Sequence, residues 1–211
     1  MKRNFLKAAI IVASTVTASY TLAGDGVPTV YGKANVSLNQ TILENIIGLR
    51  TQDNWKLNSN ASRLGVKGSY AVNDNLKAIY KLEYEVFIDD GDDGKGTSSE
   101  FKQRNIYGGF QGNWGTIIAG NHDTPVKLSQ GKVDRFNDLV LGDIKNVMEG
   151  ENRVKNIIMY TTPKFGGFSA SVASIPGEEN GVIAGAGDDG IADGISSAVR
   201  YKTKKMSVSL A

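Results

Sequence analysis

From Thr29 onward the chain alternates apolar and polar positions with a period of two. Val30, Gly32, Ala34, Val36 and Leu38 fall on one side, and Thr29, Lys33, Asn35 and Ser37 on the other. Successive side chains of extended backbone point to opposite faces, so this pattern predicts a strand with one apolar face. The pattern returns where Leu64, Val66 and Tyr70 oppose Arg63, Lys67 and Ser69. It is longest where Leu76, Ala78, Tyr80, Leu82, Tyr84 and Val86 oppose Lys77, Lys81, Glu83 and Glu85. Phe168, Ala170 and Val172 alternate with Ser169 and Ser171, and Val199 and Tyr201 with Arg200 and Lys202. Met206, Val208 and Leu210 alternate with Ser207 and Ser209, while 104–111, 116–120 and 156–160 are strand-like but less regular. About nine strands and no long amphipathic helix follow, an all-β chain.

The connections between these runs vary in a regular way. Residues 39–61, 87–100, 121–155 and 176–195 form long connections, and 71–75, 112–115, 161–167 and 203–205 form short ones in between. In an antiparallel meander every second connection lies on the same edge, so the long loops gather at one end. Short turns at one end and long loops at the other are the mark of a transmembrane β-barrel. In such a barrel the apolar strand faces meet lipid and the polar faces line the lumen. The alternative is a soluble exported β-barrel holding an apolar ligand, which turns the same apolar faces inward.

The N-terminus bears on that choice. Lys2, Arg3 and Lys7 precede a short apolar run from Ala8 to Val16, and Thr21-Leu22-Ala23 supplies small residues at a cleavage site. This is the three-part export leader, with an apolar stretch too short to span a bilayer as a helix. Residues 1–23 are therefore expected to be a cleaved signal peptide and 24–211 a β-barrel domain. Removing Lys2, Arg3 and Lys7 leaves the remaining chain close to neutral.

Composition then narrows the function. The chain of 211 residues has no Cys and one His, with 24 Lys+Arg against 22 Asp+Glu. Disulfide frameworks and thiolate chemistry are excluded. Scattered basic residues in near balance with acids do not form the stripe a nucleic-acid binder needs. The Asp/Gly-rich stretches 89–94 and 187–194 lack the calcium-loop spacing and read as external loops. GGFQG precedes no helix, so no cofactor is expected. His122 begins a long connection and reads as a loop residue; a hydrolase using it would need a nucleophile motif that the chain does not offer.

Six segments, in order, resemble the Gram-negative general-diffusion porins: VYGKANVSL, ASRLGVKGS, NDNLKAIYKLEYEV, FKQRNIYGGFQGNWGTIIAG, the long loop NHDTPVKLSQGKVDRFNDLVLGDIKNVMEGENRVKN, and YTTPKFGGFSASVA. No single motif is decisive; the ordered set carries the resemblance. It implies an antiparallel barrel of about sixteen strands, usually a homotrimer, in the outer membrane among its lipids and lipopolysaccharide. The nine or so strands here would be its N-terminal half.

The resemblance also implies a third loop folded into the lumen, where its carboxylates face a ladder of wall cations. By matched motif the wall positions are Lys33, Arg63, Arg104 and Arg153, and the loop acids are Asp134, Asp138, Asp143, Glu149 and Glu151. The alternation independently puts Lys33 and Arg63 on the polar face. Asn121 departs from the family, which often has Arg there. The implied function is passive, non-catalytic diffusion of small hydrophilic solutes and ions through a charged constriction.

Overall fold

The structure, a computed structural model, describes residues 7–21, 26–44, 50–89, 100–131, 133–134, 138–139, 143–144, 150, 152–177 and 190–211; the side chains of 7–21, 41–44 and 50–54 are not described. Among the described residues there are eleven strands and one short helix: β1 (Lys7–Thr21), β2 (Thr29–Glu44), β3 (Arg50–Ser59), β4 (Arg63–Asn73), β5 (Leu76–Val86), β6 (Phe101–Gly112), β7 (Gly115–Asp123), α1 (Pro125–Ser129), β8 (Arg153–Thr161), β9 (Phe168–Ile175), β10 (Gly194–Lys202) and β11 (Ser207–Leu210). All strands belong to one sheet in the order β1-β2-β4-β5-β6-β7-β8-β9-β10-β11, with β3 also paired to β2. Every pairing whose register is described is antiparallel.

Two strands exceed the nine expected. The segment Lys7–Thr21, inside the stretch read as a leader, is extended as β1 beside β2. Residues 50–59 were expected inside a long connection, but they form β3, a hairpin partner of β2 from Val36↔Ser59 to Glu44↔Arg50. The first connection is thereby reduced to 45–49, which lies outside the described residues. His122 is not a loop residue: it lies in β7, paired with Val154 across a register shift.

By compactness the chain falls into two units. The first, Met1–Ser19, Tyr31–Leu64 and Tyr84–Lys102, is organised around a polar knot. Asn35, Ser37, Asn60 and Ser62 are all buried. Asn35 Nδ2 donates to the Asn60 carbonyl (2.9 Å), Asn60 Nδ2 to Ser37 Oγ (3.0 Å), and Ser62 Oγ to the Asn35 carbonyl (3.1 Å). Each buried polar group thus has a partner, which removes the desolvation cost of leaving it bare. Ala61, between Asn60 and Ser62, takes a left-handed φ of 51° and turns the chain from β3 into β4.

The second unit, Tyr20–Val30, Gly65–Glu83 and Gln103–Ala211, shows the two faces of the sheet in register. Gly109, Ile118, Met159, Ala173 and Ser196 pair in a line across β6 to β10. Ile118, Met159, Ala173 and the fully buried Ile157 form its core, with Leu128 of α1 packed on them. The adjacent line, Phe110, Ile117, Tyr160 and Val172, points the other way. Ile158 is 39% exposed between Ile157 at 0% and Met159 at 5%, so one strand carries both environments in consecutive residues. Phe168, Val199, Val208 and Leu210 extend the open apolar band to the last strand.

That band decides the orientation. A soluble ligand-holding barrel would turn these side chains inward, yet Leu82, Phe110, Ile117, Ile158, Val172 and Val199 are all exposed. A contiguous apolar face of this extent is suited to a bilayer. At one end of it Trp114 stacks on Tyr160 (centroids 6.3 Å), whose hydroxyl donates to the Trp114 carbonyl (2.6 Å). An aromatic body with a satisfied polar tip suits a membrane–water interface.

Candidate functional site

The covered face of the second unit also carries a cluster of charges. On β5, alternation places Lys81 and Glu83 on one side, with Lys81 Nζ 3.1 Å from Glu83 Oε2. Arg104 Nε of β6 donates to Glu83 Oε1 at 3.2 Å. Both members of this second pair are nearly inaccessible, Glu83 at 4% and Arg104 at 8%. Charges held this deep persist only when paired, because either alone would lose its hydration without compensation.

The next residue, Asn105, is buried as well, so β6 breaks its period of two at Arg104–Asn105. The break gives the covered side two consecutive polar residues. Asn105 Nδ2 donates to Asp123 Oδ2 (3.0 Å), and Arg153 Nε donates to Asn105 Oδ1 (2.9 Å). Asp123 and Arg153 are register partners across β7 and β8, with Arg153 Nη2 2.9 Å from Asp123 Oδ1. Asn105 therefore bridges both members of an ion pair. Beside them the His122 ring meets Tyr107 at 5.0 Å, and His122 Nδ1 donates to the Asp123 carbonyl (2.8 Å). Since a carbonyl can only accept, the proton of the ring is fixed on Nδ1.

The connection between β7 and β8 leaves from this cluster and closes on itself at the base. Thr124 N donates to the Asn152 carbonyl (3.0 Å) and Asn152 N to the Gly150 carbonyl (2.8 Å). Thr124 also caps α1, its hydroxyl accepting from Lys127 N (3.3 Å), with Pro125 at the first helical position. Leu128 turns the helix onto the Ile118–Ile157–Met159–Ala173 patch, so the loop starts over the same face that bears the charges.

The residues singled out by sequence are distributed as follows. Lys33 on β2 and Arg63 at the start of β4 belong to the first unit and are half-buried; Arg63 Nε donates to the Ala61 carbonyl (3.2 Å). Arg104 and Arg153 belong to the second unit: Arg104 pairs with Glu83, and Arg153 bonds Asn105, the residue after Arg104 in β6. Among the loop acids, Asp134 Oδ2 accepts from Ile144 N (3.4 Å), Asp143 is buried, and Asp138 adopts a left-handed φ of 71°. Glu149 and Glu151 lie outside the described residues. Glu83, Asn105 and Asp123 were not singled out. The alternation of β5 already put Glu83 with the cations; Asp123 was hidden inside what reads as a loop.

Comparison with known proteins places this architecture. The family described as Gram-negative porin matches residues 8–211. Outer membrane porin protein 32 of Delftia acidovorans is 33% identical over 121 residues, 53% of this chain and 33% of that protein. Major outer membrane protein P.IB of Neisseria sicca is 30% identical over 158 residues, 70% of this chain and 42% of that protein. The matches thus span about a third to two-fifths of the length of these relatives. Among solved structures, an anion-selective porin from Comamonas acidovorans superposes with a TM-score of 0.68 at 25% identity, covering 88% of this chain and 56% of that one. With its matched family, its antiparallel sheet and its outward apolar band, the chain belongs to the Gram-negative porins and has their transmembrane β-barrel fold.

Proposed function

We propose that the protein forms a water-filled channel in the outer membrane for passive diffusion of small hydrophilic solutes and ions. The observation that carries this reading is the opposition of the two faces: exposed apolar residues in register on one side, and the Lys81–Glu83–Arg104 and Arg153–Asp123 charges on the other. Lys81, Asp123 and Arg153 keep part of their surface open, and fixed charges along an aqueous passage bias which ions cross. The connection between β7 and β8 narrows the passage, its acids Asp134, Asp138, Asp143, Glu149 and Glu151 opposing the wall cations Lys33, Arg63, Arg104 and Arg153. The anion selectivity named for the Comamonas porin makes an anion preference the first to test here.

In this reading residues 1–23 are removed on export, and the protein assembles as a homotrimer among outer-membrane lipid and lipopolysaccharide. Removing β1 bares the edge of β2, which a closing strand must then pair, since unpaired backbone is not tolerated in lipid. N-terminal sequencing of the membrane-extracted protein should begin at Gly24.

The decisive experiment is single-channel recording in a planar bilayer with the full-length protein refolded in detergent, alongside Arg63→Ala and Asp138→Ala. Stepwise openings in threes, with reversal potentials displaced in opposite directions by the two variants, are expected. A folded, heat-modifiable protein that conducts nothing overturns the channel reading.

A further inference from the structure

A five-residue helix leaves most of its carbonyls without intrahelical partners, so α1 gains from support outside itself. The sheet supplies it. Arg200 on β10 donates from Nη2 to the Leu128 carbonyl near the C-terminal end of α1, an atom that also accepts from Gly131 N (3.4 Å). Two residues earlier, Val126 N donates to Ser196 Oγ of the same strand at 3.4 Å. Ser196 and Arg200 are two steps apart on one face of β10, opposite Ala173 and Ser169 of β9. Between these polar contacts Leu128 sits on the apolar patch. A cation against a helix C-terminus also complements the partial negative charge there.

From this geometry we infer that Arg200 is a positioning residue: a cap supplied by the wall that clamps the start of the β7–β8 loop against β9 and β10. The inference rests on the channel reading for its consequence, since a clamped loop is what would keep a passage of constant width. It does not rest on that reading for its structure. The guanidinium reaches across 72 residues of sequence to a backbone atom, so the contact is independent of the side chain at position 128. Lysine at 200 would keep the charge but lose the planar fork.

The chain contains no cysteine, so a single reporter can be placed without background. Val133, exposed and just beyond α1, is the site: Val133→Cys carrying a nitroxide, in the refolded full-length protein, alone and with Arg200→Ala, Arg200→Lys or Ser196→Ala. The clamp predicts loss of the immobilised spectral component in Arg200→Ala, partial recovery in Arg200→Lys and a smaller loss in Ser196→Ala, while the heat-modifiable band is retained. In bilayers, open-channel current noise should rise in the same order. Unchanged label mobility in folded Arg200→Ala and Ser196→Ala overturns the clamp. Increased mobility in a protein that never conducts upholds the clamp and overturns the channel reading instead.

Discussion

Asp123 and Arg153 face each other directly across β7 and β8, 2.9 Å apart, and Asn105 of β6 holds a hydrogen bond to each of them. Three adjacent strands thus share one charged unit, and its energetics can be separated from its effect on ions. Replacing Asp123 by Asn keeps the shape and removes the countercharge. The unfolding free energy should fall by about 1–3 kcal/mol, the cost of a partly buried cation left without its anion. Reversal potentials in a salt gradient should shift toward anions. Denaturant unfolding in detergent micelles checks the first expectation and bilayer recording the second.

The assignment of faces has its own test in neighbouring strands. Ile158 lies on the open apolar face and Ser171 on the covered one. Ile158→Lys should destabilise the membrane-inserted protein by about 2–4 kcal/mol if it sits near the bilayer midplane, and less toward an interface. Ser171→Lys should cost far less. The reverse order of costs in lipid vesicles would mean that the two faces have been exchanged.

Two consecutive glycines distinguish close packing from open space. A Cβ at Gly109 would stand 2.2 Å from the Ile117 carbonyl and 2.9 Å from Ile118 Cα, both backbone atoms that cannot turn aside. A Cβ at Gly108 would meet nothing within 4 Å. Gly109→Ala should therefore cost about 1–3 kcal/mol through forced strand separation, while Gly108→Ala should be nearly neutral. Midpoints of thermal loss of the folded band compare them directly.

The polar knot of the first unit makes a similar prediction. Asn60→Ala would take the donor away from Ser37 Oγ while leaving the surrounding groups buried. A loss of about 1–3 kcal/mol is expected. Because Asn60 precedes the left-handed Ala61, the variant should also speed hydrogen exchange at Asn35 N, which donates to Ser62 Oγ.

Much of this architecture can be read from the alternation alone. The faces of β2, β5, β9 and β10 follow from period two, because each strand is apolar on the side that meets neither water nor charge. β3 escapes that reading because only Trp55 and Leu57 of RTQDNWKLNS are apolar, too few for a period to show; it is a strand through its backbone pairing with β2. His122 and Asp123 escape it because the register shifts after Gly120, which has a φ of 140°, and the pattern resumes out of phase. Arg104 and Asn105 break the alternation outright. Arg200 had only its place on a polar face to mark it, since no local spacing announces a bond to Leu128.

The apolar and polar sides of each strand have a consequence for the journey of the chain as well as its destination. In β8 the run Ile157-Ile158-Met159-Tyr160 is bounded by Lys155 and Asn156 before it and by Thr161 and Thr162 after it. Mean hydropathy over the whole chain stays at −0.24. A translocation channel that halts on sustained oiliness, of about twenty residues, meets none in such a strand. Along the chain the apolar residues come only in short runs broken by polar ones, and they become a continuous greasy surface only when the strands stand side by side.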